Sequence, residues 1–148
     1  MRTLVLALVL ATAACAADDV DVYSPGELQN LSRALSRKHT QFAAQQLKKY
    51  GNHYTMLAYR EATGASEVHG KEADVFVVTD GAATIVTGGK LVNARTEKPG
   101  ELRGTSVEGG ERHPLAKGAI IHIPAGVPHQ LLIENGKPFT YFVVKVIE

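Results

Sequence analysis

From Tyr54 to the C-terminus, short β-prone stretches alternate with glycine- and proline-containing breaks at nearly regular spacing, and that punctuation restricts the fold more than any other feature of the chain. Candidate strands are Tyr54–Arg60, Ser66–His69, Asp74–Thr79, Ala82–Thr87, Lys90–Asn93, His113–Leu115, Ala119–Ile123, Gln130–Glu134 and Thr140–Ile147. Breaks fall at Gly64, Asp80-Gly81, Gly88-Gly89, Pro99-Gly100, Gly109-Gly110, Pro124 to Pro128 and Asn135-Gly136. Glycine supplies the positive φ that tight turns need, and proline presets φ without offering a ladder donor, so these residues end strands. Many short strands so punctuated predict an all-β sandwich or barrel. The least regular part, Ala94 to Arg112, is expected to form an extended loop over the barrel mouth. Thr87-Gly88-Gly89-Lys90 is too short for a phosphate loop and reads as a hairpin turn.

Upstream the pattern is different. Ser24-Pro25-Gly26-Glu27 has the parts of a helix start: a capping serine, a proline suited to the first turn, and a glutamate placed to complete a capping box. Apolar residues then recur at Leu28, Leu31, Leu35, Phe42, Ala43 and Leu47, which predicts an amphipathic helix, broken in two near Arg37 to Thr40 and ending before Gly51. Its expected role is to pack on the outside of the barrel or on a second subunit. Arg33, Arg37, Lys38, Lys48 and Lys49 along it read as a solvated face.

Residues 1–16 combine one positive charge, a short apolar run and small residues ending at Ala16, the build of a secretory signal peptide. The apolar run is shorter than the roughly 20 residues a permanent membrane helix requires. Export to the periplasm or outside is expected. Thr12-Ala-Ala-Cys15 partly resembles a lipid-attachment site, and lipidation of Cys15 is the one route by which the protein would be held at a membrane. Cys15 is the only cysteine, so the remaining chain has neither disulfide nor thiolate chemistry. Removing the segment takes away Arg2 and leaves acidic and basic residues equal in number, which gives no basis for nucleic-acid binding. At 148 residues there is room for one domain: residues 17–52 as an N-terminal helical segment and 53–148 as the barrel.

The run Gly118-Ala-Ile-Ile-His-Ile-Pro124-Ala-Gly126-Val-Pro-His129 joins an apolar stretch to a rigid turn that aims a histidine. It resembles the second motif of the cupin superfamily, G-x5-P-x-G-x2-H-x3-N, at every named position but the last, where Ile133 stands. Upstream, Glu67-Val-His69-Gly-Lys-Glu72-Ala-Asp74 followed by Gly81 is similar to the first motif, G-x5-H-x-H-x3,4-E-x6-G. With Gly81 on the final glycine, Asp74 takes the glutamate position, His69 the second histidine and Glu67 the first; the leading glycine would fall at Glu61. The resemblance implies a single-domain double-stranded β-helix, a jelly-roll barrel, with Glu67, His69, Asp74 and His129 converging inside it and a tendency to homodimerise.

Glu67 and His69, two apart on a strand, share a face. Two imidazoles with one or two carboxylates and open positions suit a divalent ion, Fe(II), Mn(II) or Zn(II). When not bound to metal, Glu67 is a candidate general base. Three readings follow. One is a metal-dependent enzyme, of oxygenase or Lewis-acid type, acting on a small organic molecule. Another is a non-catalytic module that binds a small ligand between Phe76, Tyr141 and Phe142, and the third is a dimeric scaffold barrel. Glu72 reads as a solvated carboxylate, and His39, His53, His113 and His122 lack a ligand spacing and read as surface or packing residues.

Overall fold

The computed structural model describes residues 20–134 and 136–148. The expected signal peptide, residues 1–16, and Cys15 lie outside the described residues. Among the described residues one helix, α1 (Pro25–Ser36), precedes thirteen strands: β1 (Phe42–Lys49), β2 (His53–Arg60), β3 (Ser66–His69), β4 (Glu72–Asp80), β5 (Ala82–Thr87), β6 (Lys90–Val92), β7 (Arg95–Lys98), β8 (Glu101–Gly104), β9 (Ser106–Glu108), β10 (Glu111–Ala116), β11 (Ile120–Ile123), β12 (His129–Leu132) and β13 (Phe139–Ile147). Among the described residues no helix is long and apolar enough to cross a membrane.

Two antiparallel sheets face each other, one ordered β1-β2-β13-β4-β11 and the other β10-β5-β12-β3-β8-β7, with β6 and β9 forming a small ribbon. Long-range antiparallel pairing brings sequence-distant strands together, β13 between β2 and β4, and β12 between β5 and β3. The all-β expectation is met. Inward residues of both sheets, among them Phe76, Val78, Ile85, Leu131, Phe139 and Tyr141, fill the space between them. Each fully buried large apolar side chain there contributes about 1.5–3 kcal/mol over its exposed state.

The N-terminal expectation holds for its first half and fails for its second. Ser24 accepts from the Glu27 amide and Glu27 accepts from the Ser24 amide, so the capping box forms as the sequence indicated. Leu28, Leu31 and Leu35 pack against Leu57, Tyr59 and Phe142 on the outer face of the first sheet. The residues from Phe42 to Lys49, expected as a helix, are instead strand β1, paired along its length with β2. Its alanines, glutamines and lysines are good helix formers, but ladder pairing on the exposed edge of β2 outweighs a preference of a few tenths of a kcal/mol per residue. The barrel sheet therefore begins well before residue 53, and Lys48 and Lys49 belong to a strand rather than to the helix.

Two further expectations are corrected. The expected loop from Ala94 to Arg112 contains β7, β8 and β9 and extends into the first residues of β10, and β8 pairs with β3 in the middle of the second sheet. Gly88-Gly89 turns the chain, but β5 and β6 do not form a hairpin: β5 pairs with β10 and β12, and β6 pairs with β9.

Candidate metal centre

Two rungs, one from each sheet, set the site. In the second sheet His129 on β12 is opposite both Thr87 and Glu67, and Glu67 on β3 is in turn opposite Arg103 on β8. Two residues further along β3, His69 is opposite Glu101. In the first sheet Asp74 on β4 lies between Ile123 on β11 and Lys145 on β13. Directly opposed residues share a face, so both rungs present their side chains to the interior. The Pro124–Pro128 turn then ties the two motif segments together. Gly126 adopts φ +79°, a left-handed conformation that glycine takes without penalty, and its amide donates to the His69 carbonyl at 2.8 Å.

The four residues expected from the sequence do meet. Nε2 of His69 lies 3.8 Å from Glu67 and 3.6 Å from Asp74, and Nε2 of His129 lies 3.4 Å from Glu67 and 3.7 Å from Asp74. Donors bound tetrahedrally at about 2.1 Å sit about 3.4 Å apart, so this spacing suits one small divalent ion. Glu67, His69 and His129 form a cluster that can hold such an ion. Both Nε2 atoms are buried and have no hydrogen-bond partner. A buried polar atom left unpaired is costly, and here two such atoms face the same carboxylates, an arrangement that a bound cation can satisfy.

The proton positions support the same reading. His129 Nδ1 lies 3.0 Å from the Val127 carbonyl, which can only accept, so Nδ1 carries the proton and Nε2 offers its lone pair. His69 Nδ1 is 2.6 Å from Glu101 Oε2. Lys145 Nζ lies 2.7 and 2.9 Å from the two oxygens of Asp74. Arg103 reaches Glu67 at 3.3 Å, Glu101 at 3.4 Å and the more exposed Glu97 at 3.2 Å. Every carboxylate around the two imidazoles thus touches at least one charged or donor group.

Burial alone would push the Glu67 carboxyl up, but in acid, where the His129 and His69 rings are cationic, those rings and the Arg103 guanidinium outweigh it and hold it down to about 2. A carboxylate that stays ionised so far into acid is suited to bind a cation. Burial raises the Tyr54 hydroxyl, and the carboxylates of Glu72, Asp74 and Glu101 raise it further, which shows the anionic character of this end of the barrel. Solvent reaches the site mainly past Glu67: its side chain is 20 % exposed, against 7 % for His69, 3 % for His129 and 1 % for Asp74.

Other sequence candidates fall outside the centre. His122 is exposed on the outward phase of β11, while Ile121 and Ile123 face the core. His113 pairs with the Thr87 hydroxyl, His53 stacks on Tyr50, and His39 is exposed after α1. Glu72, expected to be simply solvated, is half-buried and accepts from the Tyr54 hydroxyl. The expected aromatic walls of a ligand pocket do not form one. Phe76 and Tyr141 are packed in the core against each other, and Phe142 faces the opposite side, under α1. Sequence reading missed Glu101, Arg103 and Lys145.

No protein-family model matches the sequence, and no curated protein matches it. Solved structures do. A conserved protein with a double-stranded β-helix domain from Klebsiella pneumoniae is 15% identical, with a TM-score of 0.59 over 87% of this chain and 91% of that one. The cupin domain of Schizosaccharomyces pombe Cnp3 is 8% identical, with a TM-score of 0.55 over 74% and 66% of the two chains. The polyketide cyclase RemF from Streptomyces resistomycificus is 15% identical, with a TM-score of 0.52 over 73% and 66%. At these identities the likeness establishes the fold, that of the cupins.

Proposed function

We propose that this cupin-fold chain is an exported protein that binds one divalent ion, Fe(II), Mn(II) or Zn(II), and uses it on a small organic molecule in oxygenase or Lewis-acid chemistry. The observation that carries the metal reading is the pair of buried Nε2 atoms without partners, converging with Glu67 and Asp74. His69 and His129 would bind through Nε2, Glu67 through its carboxylate, whose Oε2 faces His69 and Oε1 faces His129, and Asp74 through Oδ2, which faces both rings. An ion held there would supply Lewis-acid polarisation of a substrate oxygen or, as Fe(II), redox chemistry with dioxygen.

The chain's own residues restrict what can react. Phe76, Phe139 and Tyr141 fill the interior behind the site, so a substrate must be small and must approach past Glu67 and Arg103. Lys145 neutralises Asp74, and Arg103 is shared between Glu67 and Glu101, so two cations offset part of the carboxylate charge before any ion enters. Export rests on residues 1–16, whose composition is that of a cleaved signal.

The test is calorimetric titration of metal-stripped protein with Zn(II), Mn(II) and, under anaerobic conditions, Fe(II). One ion per chain, lost in the His69→Ala/His129→Ala variant, supports the reading and directs substrate screening to that ion's chemistry. A folded wild type that takes up none of the three refutes it.

A further inference from the structure

We infer that Glu101 is a positioning residue for this centre: its carboxylate fixes His69 as the Nδ1–H tautomer and thereby presents the Nε2 lone pair to the four-donor site. The inference rests on the metal-binding reading above, but its first readout needs no metal. A neutral imidazole carries one proton, and if His69 carried it on Nε2 the N–H would point among the donors and block coordination. Glu101 Oε2, 2.6 Å from Nδ1, only accepts when ionised, so the proton is held on the far side of the ring. Both side chains are buried, at 7 % and 9 % exposure, where a charge-assisted bond is strong.

The backbone makes this contact specific. His69 and Glu101 are directly opposed across the β3–β8 ladder. The Gly70 amide donates to the Gly100 carbonyl at 2.6 Å, and a Cβ at Gly70 would stand 2.9 Å from that oxygen, so only a glycine allows β8 to close on β3 here. Arg103, two residues on and on the same face, touches Glu101 and Glu67 and keeps the buried carboxylate compensated. His129 has no equivalent dependence on a side chain, because its Nδ1 proton goes to the Val127 carbonyl. The two ligating histidines are thus oriented by different means, and only His69 depends on a side chain for it.

The test combines ¹⁵N-histidine NMR of the metal-free protein in mildly alkaline buffer with Zn(II) titration, on wild type, Glu101→Ala and Glu101→Gln. The wild type should show His69 as Nδ1–H. Glu101→Ala should move His69 towards Nε2–H and weaken Zn(II) binding about 10–100-fold, while Glu101→Gln, whose amide oxygen still accepts, should keep the tautomer and lie between. The His129 tautomer should be the same in all three and reports that the variants are folded. If Glu101→Ala is too unstable for spectroscopy, Glu101→Gln still carries the test through its intermediate Zn(II) affinity. Wild-type Zn(II) affinity in both variants, or His69 already Nε2–H in the wild type, overturns the inference. A wild type with the Nδ1–H tautomer that takes up no Zn(II) overturns the metal reading instead, and with it the purpose assigned to Glu101.

Discussion

Replacing Lys145 with methionine keeps the apolar stem and removes the one lysine or arginine that, among the described residues, contacts Asp74. Asp74 is 1 % exposed, its neighbours are two imidazole edges and apolar strand residues, and its hydrogen bond to Lys145 Nζ has no side-chain substitute. Removing one partner of a buried ion pair costs about 3–5 kcal/mol, because the remaining charge is left uncompensated. Lys145→Met should therefore destabilise the metal-free protein by about that amount in guanidinium unfolding with chelator present. Asp74→Asn/Lys145→Met removes both charges and should lie within about 1 kcal/mol of wild type or be more stable, since neutral replacement of buried pairs is often neutral to stabilising. Saturating Zn(II) should restore much of the loss in the single variant, as the ion supplies the missing positive charge and binding stabilises the folded state by mass action. A metal-free Lys145→Met protein within about 1 kcal/mol of wild type would show that Asp74 does not depend on Lys145.

Because the Glu67 carboxyl is held down to about 2 in the folded protein, below its ordinary value of 4.5, its contribution is present above pH 4.5 and is lost as pH falls towards 2. Glu67→Gln should flatten the acid limb of metal-free stability by roughly 3 kcal/mol across that window, measured as unfolding free energy against pH. Gly126→Ala should cost about 1–2 kcal/mol from its left-handed φ, and because Gly126 anchors the turn to the His69 carbonyl, it should also weaken metal affinity more than Gly136→Ala, a positive-φ glycine in the β12–β13 connection.

Much of the fold was legible because alternation and turn residues act locally. Apart from β7, β8 and β9, the strands from His53 onward fall close to their expected bounds, and the proline–glycine turn before His129 has the rigidity its composition implies. The stretch from Phe42 to Lys49 misled because its helix preference is local while its pairing with β2 is not. The strand β8 was invisible for a similar reason: Glu101-Leu102-Arg103 sits among charged residues and turn glycines, and only the ladder to β3 turns Glu101 and Arg103 inward. Lys145 did leave a signal. It continues the buried phase of Phe139, Tyr141 and Val143 on β13, and a lysine on the core face of a strand calls for a buried carboxylate.

Whether the protein carries a metal decides between an ion-dependent role and a purely structural barrel. Mass-spectrometric metal analysis of protein purified without chelator or histidine tag, beside the His69→Ala/His129→Ala variant, measures this directly. Near one Fe, Mn or Zn per chain in the wild type and none in the folded variant is the predicted result. A folded wild type without metal, or a variant that keeps the wild-type content, would contradict it.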